Sequence, residues 1–309
     1  MNAATLSGDF GLEKPVDRSM GNSPATSVAV EPAKEKKMEK MVSVPAGEPF
    51  GDKIKVWARA ALPPCLGLII LLGLWYVATF KGGSIPGPGQ TWEAAKVLFA
   101  DPFYRNGPND QGIGWNVMSS LQRVGIGFGF AALVGIPMGF ILGRSKFLSD
   151  MINPIISLLR PVSPLAWLPI GLLVFKKADP AATYTIFICS IWPMIMNTAQ
   201  GVQRVPQDYL NVARVLALSE WKVVTKILFP AVLPYMLTGI RLSIGTAWLV
   251  IVAAEMLTGG VGIGFWVWDE WNNLKVEHII IAIFVIGIVG LILEQSLIML
   301  AKKLTKESS

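Results

Sequence analysis

From residue 62 onward the chain is dominated by apolar stretches, each close to the length of about 20 residues that crosses a bilayer as a helix. Six spans are expected, at about 62–80, 115–142, 153–175, 181–201, 230–257 and 278–300. Some exceed the minimum length, which leaves room for tilt or for an end outside the lipid. Composition agrees: 52% of residues are apolar and only 16% charged, where a soluble domain holds roughly 25% charged. The chain therefore reads as an all-α polytopic membrane protein, which argues against a soluble enzyme.

The formal net charge is +6, and the first 52 residues are net −2, so the remainder carries +8. Loops that stay on the inner side of a membrane explain such an excess without nucleic acid. With the N-terminus inside, twelve near-membrane Lys/Arg fall on the inner side, among them Arg144, Arg204, Arg214, Lys222 and Lys302. Six fall outside: Lys81, Lys96, Arg105, Lys176, Lys177 and Lys275. The bias places both termini in the cytoplasm. Residues 1–52, rich in Ser, Pro, Gly, Glu and Lys, bury too little apolar surface to offset ordering entropy and read as a disordered tail. The expected division is then 53–114, a first span with a loop; 115–303, a five-helix core; and 304–309, a short cytoplasmic tail. Cys65 and Cys189 both sit in apolar stretches, too few for a disulfide framework or a metal cluster. The single histidine, His278, opens the last span and reads as interfacial rather than as a proton relay.

Local patterns add detail. Gly135, Gly139 and Gly143, spaced by four, give the second span a flat face for another helix. Gly125 and Gly129 are expected to extend it. Pro154, Pro161, Pro164 and Pro169 fall in the third span, and broken helix at membrane depth is tolerated only against protein or a water-filled cavity. That makes the third span the best candidate for a pathway wall. After the turn at 84–89, residues 91–99 read as a short amphipathic helix on the membrane. The Gly- and Trp-rich loop 258–277 reads as a lid, a docking surface or an interfacial anchor.

Between the fourth and fifth spans, 206–222 is too polar to span lipid and too apolar for a solvated loop. Pro206 suits a first helical turn and Asp208 its positive end. Leu210, Ala213, Ala217 and Leu218 can share one face, lying on headgroups or meeting another protein.

Asn211-Val212-Ala213, Ala217, Ile227 and Phe229-Pro230 have the spacing of the cytoplasmic signature of bacterial ABC importer permeases: Glu-Ala-Ala, three residues, Gly, nine residues, Ile, one residue, Leu-Pro. Asn211 and Val212 stand where that signature has Glu and Ala, Ala217 where it has Gly, and Phe229 where it has Leu. Ser119–Val124, Gly135–Gly139, Leu142–Ser145, Leu159–Pro169, Gly239–Leu242, Ala247-Trp248 and Ala253–Met256 resemble the nitrate/sulfonate/bicarbonate subgroup. The cyanobacterial nitrate permeases are the nearest likeness within it. The resemblance, covering about 115–303, implies a type I importer fold with two permease copies forming the pathway. It also implies a coupling helix docked on an ATPase subunit, with Asp208, Asn211, Ala213, Arg214, Ala217, Leu218 and Ser219 as coupling residues. Two non-identical ATPase subunits holding ATP and Mg, and an external substrate-binding protein, complete the implied assembly. The sequence contains no Gly-x-x-x-x-Gly-Lys-Ser/Thr, so no cofactor is expected on this chain and no catalytic residue of its own.

Arg123, Arg160, Arg241, Glu255 and Glu294 fall within or near spans, where charges are costly and face the bundle interior. By depth Arg241 can pair with Glu294 and Arg123 with Glu255. An unpaired arginine would lower the barrier for an anion, with Trp167, Asn197 and Trp248 as weak polar contacts. The expected pathway set is Arg123, Arg160, Trp167, Asn197, Arg241, Trp248 and Glu255. The expected function is an ATP-driven nitrate and nitrite importer subunit in the bacterial inner membrane. Bicarbonate, or taurine and alkanesulfonates, are the alternative cargoes. A stand-alone channel or secondary carrier is the alternative class. A membrane enzyme would need an acid–base or metal constellation that the sequence lacks.

Overall fold

The computed structural model describes residues 50–80, 82 and 85–307. The expected tail lies outside the described residues except for its last three, as do the turn residue Ser84 and the last two residues of the chain. The regular structure described is helical throughout: α1 (Phe50–Thr79), α2 (Pro88–Ala100), α3 (Ile113–Arg144), α4 (Lys146–Leu159), α5 (Pro164–Phe175), α6 (Ala178–Gln203), α7 (Gln207–Val215), α8 (Glu220–Val223), α9 (Phe229–Thr258), α10 (Ile263–Asn272) and α11 (Val276–Glu307). A π turn at Val224–Leu228 joins α8 to α9. The chain divides into two compact units, Met1–Leu66 and Gly67–Ser309; everything below belongs to the second.

Four stretches are long and apolar enough to cross a membrane: Leu62–Thr79, Ile113–Arg144, Glu220–Thr258 and Val276–Ala301. The expected third span is instead two helices, α4 and α5, meeting at 97°. Arg160-Pro161-Val162-Ser163-Pro164 makes the corner, because Pro161 and Pro164 lack the N–H groups a continuous helix needs. Counted as one span, the pair is a fifth. The expected fourth span is α6, 26 residues long but less apolar than the others. Twelve of its residues are buried inside the protein. A helix surrounded by protein on most sides has no need of an apolar, lipid-facing surface, so its composition drifts toward Ser, Thr and Asn.

α6 is the axle of the bundle. On one side α3 presses against it through glycines: an added Cβ would lie 2.5 Å from the Thr198 Cβ at Gly139 and 2.5 Å from the Val202 Cβ at Gly143. The face continues through Gly135, Ala131 and Gly127. Gly125 and Gly129, expected to extend it, have no neighbour within 4 Å. Two residues of a 3.6-residue turn rotate a side chain by about 200°, so they look away from α6. On the other side α9 packs on α6, where the Ser243 hydroxyl donates to the Ser190 carbonyl at 2.6 Å. A π turn precedes Pro230. Widening the turn there relieves the collision of the proline ring with the carbonyl four residues back.

Candidate functional site

Three places gather the charged and polar side chains of the bundle. The first is where α10 begins. The opening amides of α10 have no carbonyls before them to bond. Side chains from two other helices take their place. Gly262 N–H donates to Asn116 Oδ1 at 2.9 Å, Ile263 N–H to Ser120 Oγ at 3.0 Å and Gly264 N–H to Glu255 Oε2 at 3.0 Å. Ser120 Oγ in turn lies 2.8 Å from both Glu255 oxygens. Arg123 Nη1 donates to Glu255 Oε1 at 2.6 Å and to the Val261 carbonyl at 2.8 Å, while its Nε reaches Asp179 at 2.9 Å. Glu255 is only 1% exposed, so the guanidinium and the positive end of α10 together hold a carboxylate that burial alone would disfavour. Gly264 has no room for a side chain: a Cβ would lie 2.0 Å from the Val252 carbonyl oxygen. The arrangement fixes the loop 259–262 and α10 onto α3, α6 and α9.

The second place is the α4–α5 corner. A cavity of about 550 Å³ lies there, walled by Arg160, Ser163, Trp167, Cys189, Trp192, Asn197, Gln200 and Thr246 among others. It unites three expected pathway residues: Arg160, Trp167 and Asn197. Arg241 and Trp248 line a different cavity of about 560 Å³, between α9 and α11. There Arg241 is paired with Glu294, and Trp248 is buried, donating its indole N–H to the Ile286 carbonyl at 2.9 Å. Trp248, expected as a weak contact for a passing anion, is thus a packing residue. Arg123 borders a third cavity of about 1150 Å³ with Asp179, Tyr184 and Phe187. Both charge pairs expected from depth, Arg123–Glu255 and Arg241–Glu294, are present.

The third place is the opposite end of the bundle. The helix expected over 206–222 is split into α7 and α8. Its end is a tight reversal: Leu216 N–H returns to the Val212 carbonyl and Leu218 N–H to the Ala213 carbonyl at 3.0 Å, the pattern of a Schellman cap. Ala213 is 2% exposed and packs with Val202, Val205, Val223, Val232 and the half-buried Leu218 in the chain's own core. The face turned outward holds Tyr209, Val212, Val215, Leu216 and Trp221, with Val215 85% exposed. Asp208, Asn211, Arg214, Ala217 and Ser219 are also exposed. Arg144, at the end of α3, reaches Glu220 at 2.5 Å and ties this lever to the bundle.

A family model described as "Binding-protein-dependent transport system inner membrane component" matches residues 135–306. The chain belongs to that family. It is a multi-pass membrane component of a transport system. It is similar to the nitrate import permease protein NrtB of Synechocystis, with 46% identity over 241 residues, 78% of this chain and 88% of that protein. It is also similar to the bicarbonate transport system permease protein CmpB of Synechocystis, with 44% identity over 255 residues, 80% and 91% of the two chains. Among solved structures, an inward-facing form of the MetNI methionine ABC transporter shares the fold, with a TM-score of 0.52 and 14% identity over 63% of this chain and 94% of that one. An amino acid ABC transporter crystallised with histidines aligns with a TM-score of 0.50 at 13% identity, over 71% and 97%.

Membership of the family gives the reversal after α7 a meaning. Ala217 has φ +47, a left-handed backbone that glycine adopts freely and alanine does not. The signature glycine falls at this residue, so its spacing encodes a helix stop. Sequence reasoning missed four contributors. Asp179, Asn116 and Ser120 gave no signal, because buried caps between distant segments have no local spacing. Gln200 is one turn from Asn197 and was recoverable from helical periodicity.

Proposed function

We propose that this chain is the membrane-spanning subunit of an ATP-driven importer whose cargo is nitrate, with nitrite. Its likeness to nitrate import permeases over most of their length carries the reading. In this reading six spans cross the bacterial inner membrane with both termini cytoplasmic, α6 and the bent α4–α5 pair each counting as one. Two copies surround the pathway, with lipid around them. ATP and Mg are held by two non-identical ATPase subunits, and an external binding protein delivers the anion. α7 and the reversal after it form the coupling helix. The exposed row Tyr209, Val212, Val215, Leu216 and Trp221 supports this, since a contiguous apolar patch beside polar loops marks a protein contact. ATP binding closes the ATPase pair and pulls this lever, and the α3–α6–α9 core carries the motion to the α10 end. Hydrolysis resets it.

Bicarbonate is the second reading, favoured by the bicarbonate permeases, whose identity is nearly as high. Uptake of labelled nitrate and of labelled bicarbonate in a strain lacking this chain separates the two. Restored nitrate uptake alone is expected on adding the gene back; restored bicarbonate uptake alone would overturn the nitrate reading. A stand-alone carrier, the remaining class, would move anions in vesicles without ATP.

A further inference from the structure

Three arginines were expected at membrane depth, and two are spent on carboxylates: Arg123 on Glu255 and Asp179, and Arg241 on Glu294. The Arg160 guanidinium has no hydrogen-bond or ion-pair partner among the described residues. It stands at the α4–α5 corner, on the wall of the 550 Å³ cavity. No Asp, Glu or Lys lies on that wall. The indole N–H groups of Trp167 and Trp192 and the side-chain amide of Gln200 also lack partners among the described residues. Asn197 donates one of its amide protons to the Pro193 carbonyl at 2.8 Å, leaving its second proton and its oxygen open. At about 30 Å³ per water in the liquid, the space holds a small ion with part of its hydration.

One uncompensated cation beside several unused donors, with no acid present, is a site that selects for negative charge. Unpaired polar groups at membrane depth are otherwise expensive. We propose that this cavity is an intramembrane stopping place for a small oxoanion, with Arg160 supplying the charge and Trp167, Trp192, Gln200 and Asn197 the hydrogen bonds. This rests on the importer reading and deepens it, because it puts part of the anion selection in the membrane subunit. Occupancy is brief: an importer must release what it binds, and one arginine in a partly wet cavity attracts without trapping.

Cys189 lies on the same wall and serves as a reporter. In a Cys65→Ser background, the transporter assembled with its ATPase subunits is treated with an anionic methanethiosulfonate (the ethylsulfonate) or its cationic trimethylammonium counterpart. The Cys189 thiolate attacks the reagent's sulfenyl sulfur, a mixed disulfide forms and methanesulfinate leaves; the mass of the Cys189 peptide reports the extent. The anionic reagent is expected to react faster, and millimolar nitrate to slow it. Arg160→Gln should cut the anionic preference about tenfold, the scale of losing one nearby unit charge at intermediate dielectric, and abolish protection by nitrate. Arg160→Lys should keep both. An Arg160→Gln protein with unchanged charge preference and protection overturns the proposal. If Cys189 reacts with neither reagent, uptake decides. ATP-driven uptake at saturating binding protein should fall about tenfold in Arg160→Gln, with ATPase stimulation retained, and unchanged uptake overturns the proposal. Protection and uptake with bicarbonate but not nitrate leave the site standing and remove the nitrate reading. Normal ATP-driven nitrate uptake with no nitrate protection and no effect of Arg160→Gln does the reverse.

Discussion

Single residues carry the largest stakes where polarity is buried. Glu255 holds Ser120, Arg123 and the first turn of α10 at once. Glu255→Ala strands a guanidinium and an amide, and a loss of about 3–5 kcal/mol is expected, as for other broken buried pairs. Heating the detergent-solubilised assembly and measuring the folded fraction checks this, and Glu255→Gln should recover part of the loss. The Thr198 hydroxyl is the opposite case, buried without a partner among the described residues at the closest approach of α3 to α6. Thr198→Val removes an unsatisfied group while keeping the shape, so stability should rise by about 1 kcal/mol; a fall would mean the hydroxyl is satisfied in the assembly. Ala217→Gly relieves a left-handed alanine and should add about 1 kcal/mol in the same melt. Charge pairing at this scale was half legible beforehand. Arg123–Glu255 and Arg241–Glu294 follow from counting residues along spans, but Asp179 as a second partner of Arg123 does not, because nothing local announces a contact between residues 56 apart.

Elements were legible where periodicity or a breaker dictates them. The four-residue glycine spacing in α3 named its packing face, and the prolines named the α4–α5 break. The 97° angle was beyond reach, since prolines mark where a helix stops and not how the next one leaves. The amphipathic pattern of 206–222 marked a surface helix but not which side of it faces home. A stripe of Leu210, Ala213 and Leu218 can face either its own bundle or a partner, and here Ala213 packs inward. The docking face therefore has a sharper test. Val215→Asp, 85% exposed, should leave the fold intact and weaken co-purification with the ATPase subunits by roughly tenfold, as a residue at the heart of an interface does. Ala213→Asp should instead lower the yield of folded protein, because it buries a charge in the chain's own core. Equal behaviour of the two variants would mean that the outward face is not the contact.

At the scale of the whole molecule, rigid coupling along α6 joins the two ends. Glycine contacts with α3 on one side and α9 on the other leave no slack for the ends to move independently. Motion at the α7 lever must reach the α10 clamp as rigid-body tilt, which is what alternating access requires. Ion-driven and ATP-driven versions of such a bundle look alike from within one chain, so energy supply is the decisive question. It is answered by labelled nitrate uptake into proteoliposomes holding the permease, its ATPase subunits and the binding protein. Uptake is expected only with ATP, and it should vanish with Val215→Asp; nitrate accumulation at full rate without ATP, or undiminished in that variant, would contradict the importer reading.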